Sequence, residues 1–464
     1  METEYPMVGH AATVDTVPSV ESVIARLERL PISQELTVAR IVSGSATFFD
    51  AYTVLAIAYA MPVLAREWNL TPGQIGAILS AGYLGQFFGA LFFGWLAERI
   101  GRLNVLLITV VVFTSMDLAC LFAWNATSMM AFRFVQGIGT GGEVPVASAY
   151  MNEFVSAKRR GRFFLLYEVL FLFGLLSAGL IGYFLVPIYG WQAMFIVGLA
   201  PAILTIPMRW LMVESPRWLL TVGRAQQASD IVARMENGLI RRGTTLEPPS
   251  IAIHPLDKTR SDIRELFRGI YRPRTIMLVA LWVCSYMIAN GLITWLPTLY
   301  RQIFQLPLQT SLAYGFTTSA FGCLAALFCA LYIDKVGRKV WYTSAFFLAA
   351  VPMVILAILG ATSALEVLIF ATAAYAIIQT VTFSLYLYSA ELYPTRLRAV
   401  GAGFGSAWLR IASSIGPLLV GWVVGNYSIN YVFVVFGAVL AIGGVICLLF
   451  AIETKGRVLE ELSP

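Results

Sequence analysis

Twelve predominantly apolar segments alternate with short polar connectors along the chain. They fall at residues 39–64, 75–97, 104–124, 127–152, 163–187, 192–213, 275–300, 309–333, 340–360, 364–390, 399–424 and 428–452. A run of about 18 or more apolar residues crosses the roughly 30 Å hydrocarbon layer of a bilayer as a helix. No water is available there to satisfy backbone amides, so helices rather than open strands must span. The pattern predicts an all-α membrane protein with twelve transmembrane helices. One long polar interval, residues 214–273, carries Arg224, Arg234, Arg241, Arg242 and Arg264 among its charges. It divides the chain into a tail (1–38), a six-helix bundle (39–213), a linker with short helices (214–273), a second six-helix bundle (274–452) and a tail (453–464). The first tail is polar, lacks the apolar core of a signal peptide, and predicts a short amphipathic helix near residues 19–30.

Connector charge then orients the spans. The second-to-third connector holds Glu98, Arg99 and Arg102; the fourth-to-fifth holds Lys158, Arg159, Arg160 and Arg162. The eighth-to-ninth holds Asp334, Lys335, Arg338 and Lys339, and Arg396 with Arg398 follows span ten. The alternate connectors carry little beyond Arg66, Glu67, Arg301 and Glu366. Basic residues accumulate on the cytosolic side of a membrane, which predicts cytosolic termini and a cytosolic linker in a cell (plasma or inner) membrane. Composition agrees: 58% of residues are hydrophobic and 12% charged, far from the roughly 25% charged of soluble domains. The net charge of +6 is a topology signal, not a nucleic-acid footprint. Five scattered cysteines form neither a disulfide framework nor a zinc spacing. No metal, cofactor or enzyme constellation is evident, and no phosphate-cradling Gly-Lys-Ser/Thr loop is present to couple ATP.

The two halves repeat one another. Glu98-Arg99-Ile100-Gly101-Arg102 answers to Asp334-Lys335-Val336-Gly337-Arg338, and Tyr150, Glu153 and Arg160 recur as Tyr388, Glu391 and Arg398. Glu214-Ser215-Pro216-Arg217 after span six answers to Glu453-Thr454-Lys455-Gly456 after span twelve. Such a parallel repeat predicts two bundles related by a pseudo-two-fold axis along the membrane normal, with a binding site between them near the midplane.

These motifs resemble the signatures of the major facilitator superfamily, over essentially the whole chain from about residue 25. Gly94 to Arg102 resembles its signature between helices two and three, with Glu98 and Leu103 as departures, and Ala330 departs from the leading glycine of the second copy. Arg133-Phe134-Val135-Gln136-Gly137 resembles its helix-four motif, and the Glu214, Glu391 and Glu453 motifs resemble sugar-porter signatures. These last signatures mark the branch shared by sugar porters, organic anion and cation transporters and bacterial metabolite symporters. A narrower resemblance, to bacterial niacin transporters and the related aromatic-acid symporters, rests on Arg26-Leu27-Glu28-Arg29-Leu30-Pro31-Ile32-Ser33, Gly141-Gly142-Glu143-Val144-Pro145-Val146-Ala147 and Thr294-Trp295-Leu296-Pro297. Where those symporters often carry two acids in helix one, this chain has Asp50 and Thr53.

An ionisable side chain at the bilayer centre costs at least a few kcal/mol, so each is a functional candidate. Arg410 in helix eleven is the foremost, because a guanidinium does not discharge and its fork matches a carboxylate. The resemblance gives it the place of an anion-attracting arginine; a structural ion pair across the halves is the other reading. Both histidines lie outside the spans, so proton coupling would fall to Asp50 or Glu143, with Arg133 in a coupling or structural role. Asp117 is expected to be structural. Tyr52, Tyr286, Trp295, Tyr386, Tyr388 and Trp408 offer stacking surfaces for a flat ring, or else belong to packing and the interfacial aromatic belt. Asn290 and Gln379 offer hydrogen bonds. Glu168 stands, by resemblance, where sugar porters carry a sugar-binding glutamine, which argues against a plain hexose site. The charged repeats, with Glu98, Arg99, Arg102, Glu153, Arg160 and Glu214 answered by Asp334, Arg338, Glu391, Arg398 and Glu453, are expected to form a cytosolic gate. The expected activity is import of a small organic anion, such as nicotinate, with a proton, by a monomer in the lipid bilayer. A sugar or organic-cation carrier and a non-transporting receptor on the same scaffold are the alternatives.

Overall fold

The computed structural model describes residues 19–155, 160–249 and 263–455, with side chains left aside at 160–168, 390, 395, 396, 398 and 399. The expected tails and linker therefore lie outside the described residues at 1–18, 250–262 and 456–464. A short amphipathic helix, α1 (Val20–Glu28), begins under the Ser19 cap. The first bundle follows as α2 (Gln34–Glu67), α3 (Pro72–Ile100), α4 (Arg102–Leu121), α5 (Ala126–Phe154), α6 (Arg160–Tyr189) and the pair α7 (Gln192–Gly198) and α8 (Pro201–Leu211). The sixth span is thus two helices, interrupted at Leu199–Ala200 just before Pro201, which has no N–H to carry the ladder through. Two linker helices, α9 (Pro216–Thr221) and α10 (Ala225–Arg241), and a 3-10 turn (Ile263–Phe267) precede the second bundle. That bundle comprises α11 (Tyr271–Gln302), α12 (Leu308–Val336), α13 (Arg338–Leu359), α14 (Ala364–Glu391), α15 (Thr395–Asn426) and α16 (Asn430–Phe450).

Local sequence accounts for many of the starts. Thr71 with Gln74, Asn125 with Ser128, and Ser363 with Glu366 each form a reciprocal cap at the head of α3, α5 and α14. Such a cap satisfies amides that a helix leaves without partners. Among the described residues eleven spans are long and apolar enough to cross a membrane by themselves, counting α7 and α8 as one. The twelfth, α5, falls short because Arg133, Glu143 and a run of glycines dilute it. It is sheltered between α3 and α4, its principal neighbours. Glycines permit the approach: a Cβ at Gly137 would overlap the Gly82 carbonyl oxygen, and one at Gly85 the Phe134 carbonyl oxygen.

The packing repeats under exchange of halves. Helix α3 packs on α5 as α12 does on α14, and α2 on α6 as α11 does on α15. The α4 contacts with α7 and α8 are matched by α13 on α16. Between halves, α3 meets α15 as α12 meets α6, and α2 faces α11. The repeated connector is built the same way twice. Gly101 (φ 103°) and Gly337 (φ 102°) turn the chain in a conformation that side chains disfavour. Glu214 and Glu453 fill the space where a Cβ would stand, and each accepts hydrogen bonds from the first amides of the next helix.

The linker is tied to the N-terminal helix by charge. Arg26 of α1 and Arg29, its C-cap, both pair with Glu236 of α10, each at 2.5 Å. Burial pushes the Glu236 carboxyl up, but the two guanidinium groups outweigh it and hold the group below its ordinary range.

Candidate functional site

A cavity of about 160 Å³ lies between the bundles, walled by α2, α3, α5 and α6 on one side and α11, α14 and α15 on the other. Arg410 enters it from α15 and Asp50 from α2, both buried. Asp50 Oδ1 and Arg410 Nε have no hydrogen-bond partner. The other guanidinium nitrogens of Arg410 donate to the Ser406 carbonyl (3.0 Å) and, across the halves, to the Gly141 carbonyl (3.3 Å). Sequence explains why that carbonyl is available: its helical donor would be the amide of residue 145, which is proline.

Tyr286, Asn290, Gln379 and Tyr386 also line the cavity. Tyr286 stacks on Trp282 with centroids 5.2 Å apart, and Tyr386 meets the same indole edge-on at 4.8 Å. Asn290 donates to Ser413 Oγ (2.8 Å) and accepts from Tyr83 (3.0 Å), a bond that joins the two halves. Gln379 Oε1 accepts from Thr382 (3.1 Å). Tyr52, Trp295, Tyr388 and Trp408 do not line it; the buried Tyr388 hydroxyl donates to the Ile452 carbonyl (2.9 Å). The Tyr52 hydroxyl is buried against the Met194 carbonyl (2.9 Å), and the Trp295 indole donates to the Pro417 carbonyl (2.9 Å). Trp408 packs against Phe404 instead. Each shares a helix with cavity residues but projects from another face. The side chains of Glu168, Arg160 and Arg398 lie outside the described residues.

Glu143 is fully buried behind the cavity wall, where its carboxylate accepts from Thr47 (2.8 Å). Arg133 belongs to a separate network. It donates to Gln136 (2.5 Å) and the Thr53 carbonyl (3.1 Å), while Gln136 donates to Asp117 (2.6 Å) and Thr53 to the same carboxylate (3.3 Å). Asp117 is therefore fully buried and linked to Arg133 through Gln136 and Thr53, lying against Gly198. Helix α4 presents it to the interior of the first bundle, not to the periphery.

Sequence reasoning missed Tyr83, Gln86, Thr140 and Tyr375 in the cavity wall. The available signal was polar but uncharged residues one turn apart in apolar spans, as with Tyr83 and Gln86 on α3. Gln86 donates to Thr140 (3.3 Å), and together they separate the cavity from Arg133.

The charged connectors close on themselves. Arg102 pairs with Glu98 (2.7 Å) and Glu153 (3.1 Å); Arg338 pairs with Asp334 (2.7 Å) and Glu391 (2.8 Å). Arg99 lies instead over the Trp95 ring, 4.1 Å from its centroid. The Arg102 pairs stay within the first half and the Arg338 pairs within the second. At the opposite end of the bundles the halves are in close contact. Ser80 Oγ donates to the Ser414 carbonyl (2.7 Å), and a Cβ at Gly76 would stand 2.8 Å from the Pro417 carbonyl oxygen.

Comparison with known proteins agrees with this architecture. The chain is 31% identical to the niacin transporter NiaP of Acinetobacter baylyi, over 95% of this chain and 99% of that one. It is 28% identical to the 4-hydroxybenzoate transporter PcaK of the same organism, over 86% of each. Its fold matches the crystal structure of a D-xylose–proton symporter with a TM-score of 0.70 at 17% identity, over 91% of this chain and 98% of that one. The family model described as "Sugar (and other) transporter" matches residues 36–464. With its paired six-span bundles and central cavity, the chain belongs to this transporter family of the major facilitator superfamily.

Proposed function

We propose that the protein imports a small aromatic carboxylate, of which nicotinate is the leading candidate, together with a proton. The observation that carries the reading is the placement of Arg410 and Asp50 on opposite walls of one cavity, each with an unpartnered polar atom. An empty site balances the guanidinium with the ionised carboxylate. A carboxylate cargo replaces that balance only if Asp50 takes up a proton, because a second uncompensated charge in a dry cavity is strongly unfavourable. Proton and anion then travel as a neutral pair. The cavity volume resembles the ~150 Å³ space that admits benzene, which suits a single ring, and Tyr286, Tyr386 and Tyr375 supply flat faces. The names of the two relatives, a niacin and a 4-hydroxybenzoate transporter, point to the same substrate class.

The positive-inside rule puts the charged connectors, and with them both termini, in the cytosol. The tight α3–α15 contact is then the external gate. The two charged clusters, each closed within its own half, are the halves of a cytosolic gate in its parted state, so the conformation faces inward. The cycle is alternating access by rocking of the bundles.

Uptake of labelled nicotinate into vesicles tests the reading. An inward proton gradient should accelerate it, and an imposed membrane voltage at constant pH should not. Removing one partner of a buried charged pair costs about 2–5 kcal/mol, so Arg410→Ala should lower uptake at least roughly thirtyfold. Arg410→Lys, which keeps the charge without the fork, should recover only part of it. Undiminished uptake by Arg410→Ala overturns the assignment.

A further inference from the structure

A second cavity, of about 350 Å³, lies at the end of the bundle that carries the charged connectors. Its walls are the α3–α4 turn, the last turn of α8 and the linker helices α9 and α10. Arg209, Arg224 and Arg234 all reach it. The three are exposed, and none takes part in the ion pairs formed among the described residues. The acids nearby are already engaged. Glu214 accepts from the amides of Arg102 (3.0 Å) and Ser215 (2.9 Å), and Asp230 accepts from Gln226 (3.1 Å). Three guanidinium groups against these two carboxylates leave the cavity net positive, with unused donor capacity.

Its floor continues into an apolar strip. Along α4, Asn104 of the cavity wall is followed one and two turns on by Ile108 and Val111, 38% and 51% exposed. Along α8, Arg209 is preceded one turn earlier by Ile206, 63% exposed, and flanked by Trp210, 83% exposed. Residues three, four and seven apart share a helix face, and α4 packs beside α8. The two strips thus run side by side from the arginines toward the middle of the span.

A cationic mouth joined to an exposed apolar strip has the two-part chemistry of a lipid. We propose that the cavity binds the phosphate-bearing headgroup of an anionic membrane lipid, whose acyl chains lie along α4 and α8. Guanidinium forks match phosphate oxygens, and basic pockets at the cytoplasmic face of spans hold anionic headgroups. A soluble phosphate would use the same arginines but leave the strip unused. The bound lipid would join α8 of the first bundle to α10 of the linker. The site is separate from the central cavity and independent of the cargo.

The test is native mass spectrometry of the full chain released from mixed micelles, comparing retention of phosphatidylglycerol with phosphatidylcholine, with inorganic phosphate as a separate probe. The wild-type chain should retain the anionic lipid preferentially. Arg209→Gln, Arg224→Gln and Arg234→Gln should each lower that preference, by roughly fivefold per arginine, and the triple variant should abolish it. Arg241→Gln, on α10 but outside the cavity, should leave it unchanged. Should the triple variant not be recovered, the single variants decide. Equal preference in wild type and arginine variants overturns the proposal. So does thermal stabilisation by inorganic phosphate that matches that by phosphatidylglycerol, which would mark a soluble-anion site.

Discussion

A carboxylate that hands over its guanidinium partner to a cargo has to change its own charge, and Asp50 is placed to do so. Asp50→Asn fixes the neutral state. In the proposed cycle this variant should still exchange labelled for unlabelled cargo, but should lose accumulation driven by a proton gradient. Counterflow and net uptake measured on the same vesicles separate the two, and gradient-driven accumulation by Asp50→Asn would remove the acid from the coupling role. Another buried acid, Asp117, is engaged differently, with both oxygens hydrogen-bonded inside the first bundle. At this scale the sequence marked the charges well and their surroundings poorly. Arg410, Asp50 and Asn290 stood out as polar groups in apolar spans. Which of Tyr52, Trp295 and Tyr83 would face the cavity depended on the rotation of each helix about its axis, which packing against neighbours sets. Linear position does not encode it. The Pro145 signal was present in the chain, yet the carbonyl it frees gained meaning only once Arg410 of α15 was seen to reach it.

Individual helices were far easier to read. A period of apolar residues and a reciprocal cap such as Ser363 with Glu366 are local properties, so α14 begins at Ala364, where its apolar segment was expected to begin. The break between α7 and α8 was not anticipated, because Pro201 lies within one continuous apolar run. The α3–α5 crossing gives a test at this scale. Gly137→Ala places a methyl group against the Gly82 carbonyl, whereas Gly94 has nothing within 4 Å of its Cβ position. Overpacking costs about 1–3 kcal/mol, so Gly137→Ala should lower the thermal midpoint of the purified protein clearly and Gly94→Ala should not. Equal midpoints would show that the two helices can part without cost.

For the whole molecule, the internal repeat predicted an architecture that the packing reproduces pair by pair, from α3 with α5 to α12 with α14. What the repeat could not convey is the asymmetry of the state, with the halves joined at one end and each charged cluster closed on itself at the other. Rocking requires the joined end to part. Cysteines at Ser80 and Ser414, whose backbone and side-chain atoms already meet, should cross-link on oxidation and stop transport, and reductant should restore it. Continued turnover of the cross-linked protein would show that the α3–α15 contact does not open in the cycle.

The shortage of apolar character in α5 reaches back to biosynthesis. A segment bearing Arg133 and Glu143 would partition poorly into lipid on its own. By the time it leaves the ribosome, however, α3 and α4 have already been made. Membrane entry of the fourth span is therefore a cooperative act, in which the earlier hairpin serves as the solvent for a helix that the bilayer would refuse.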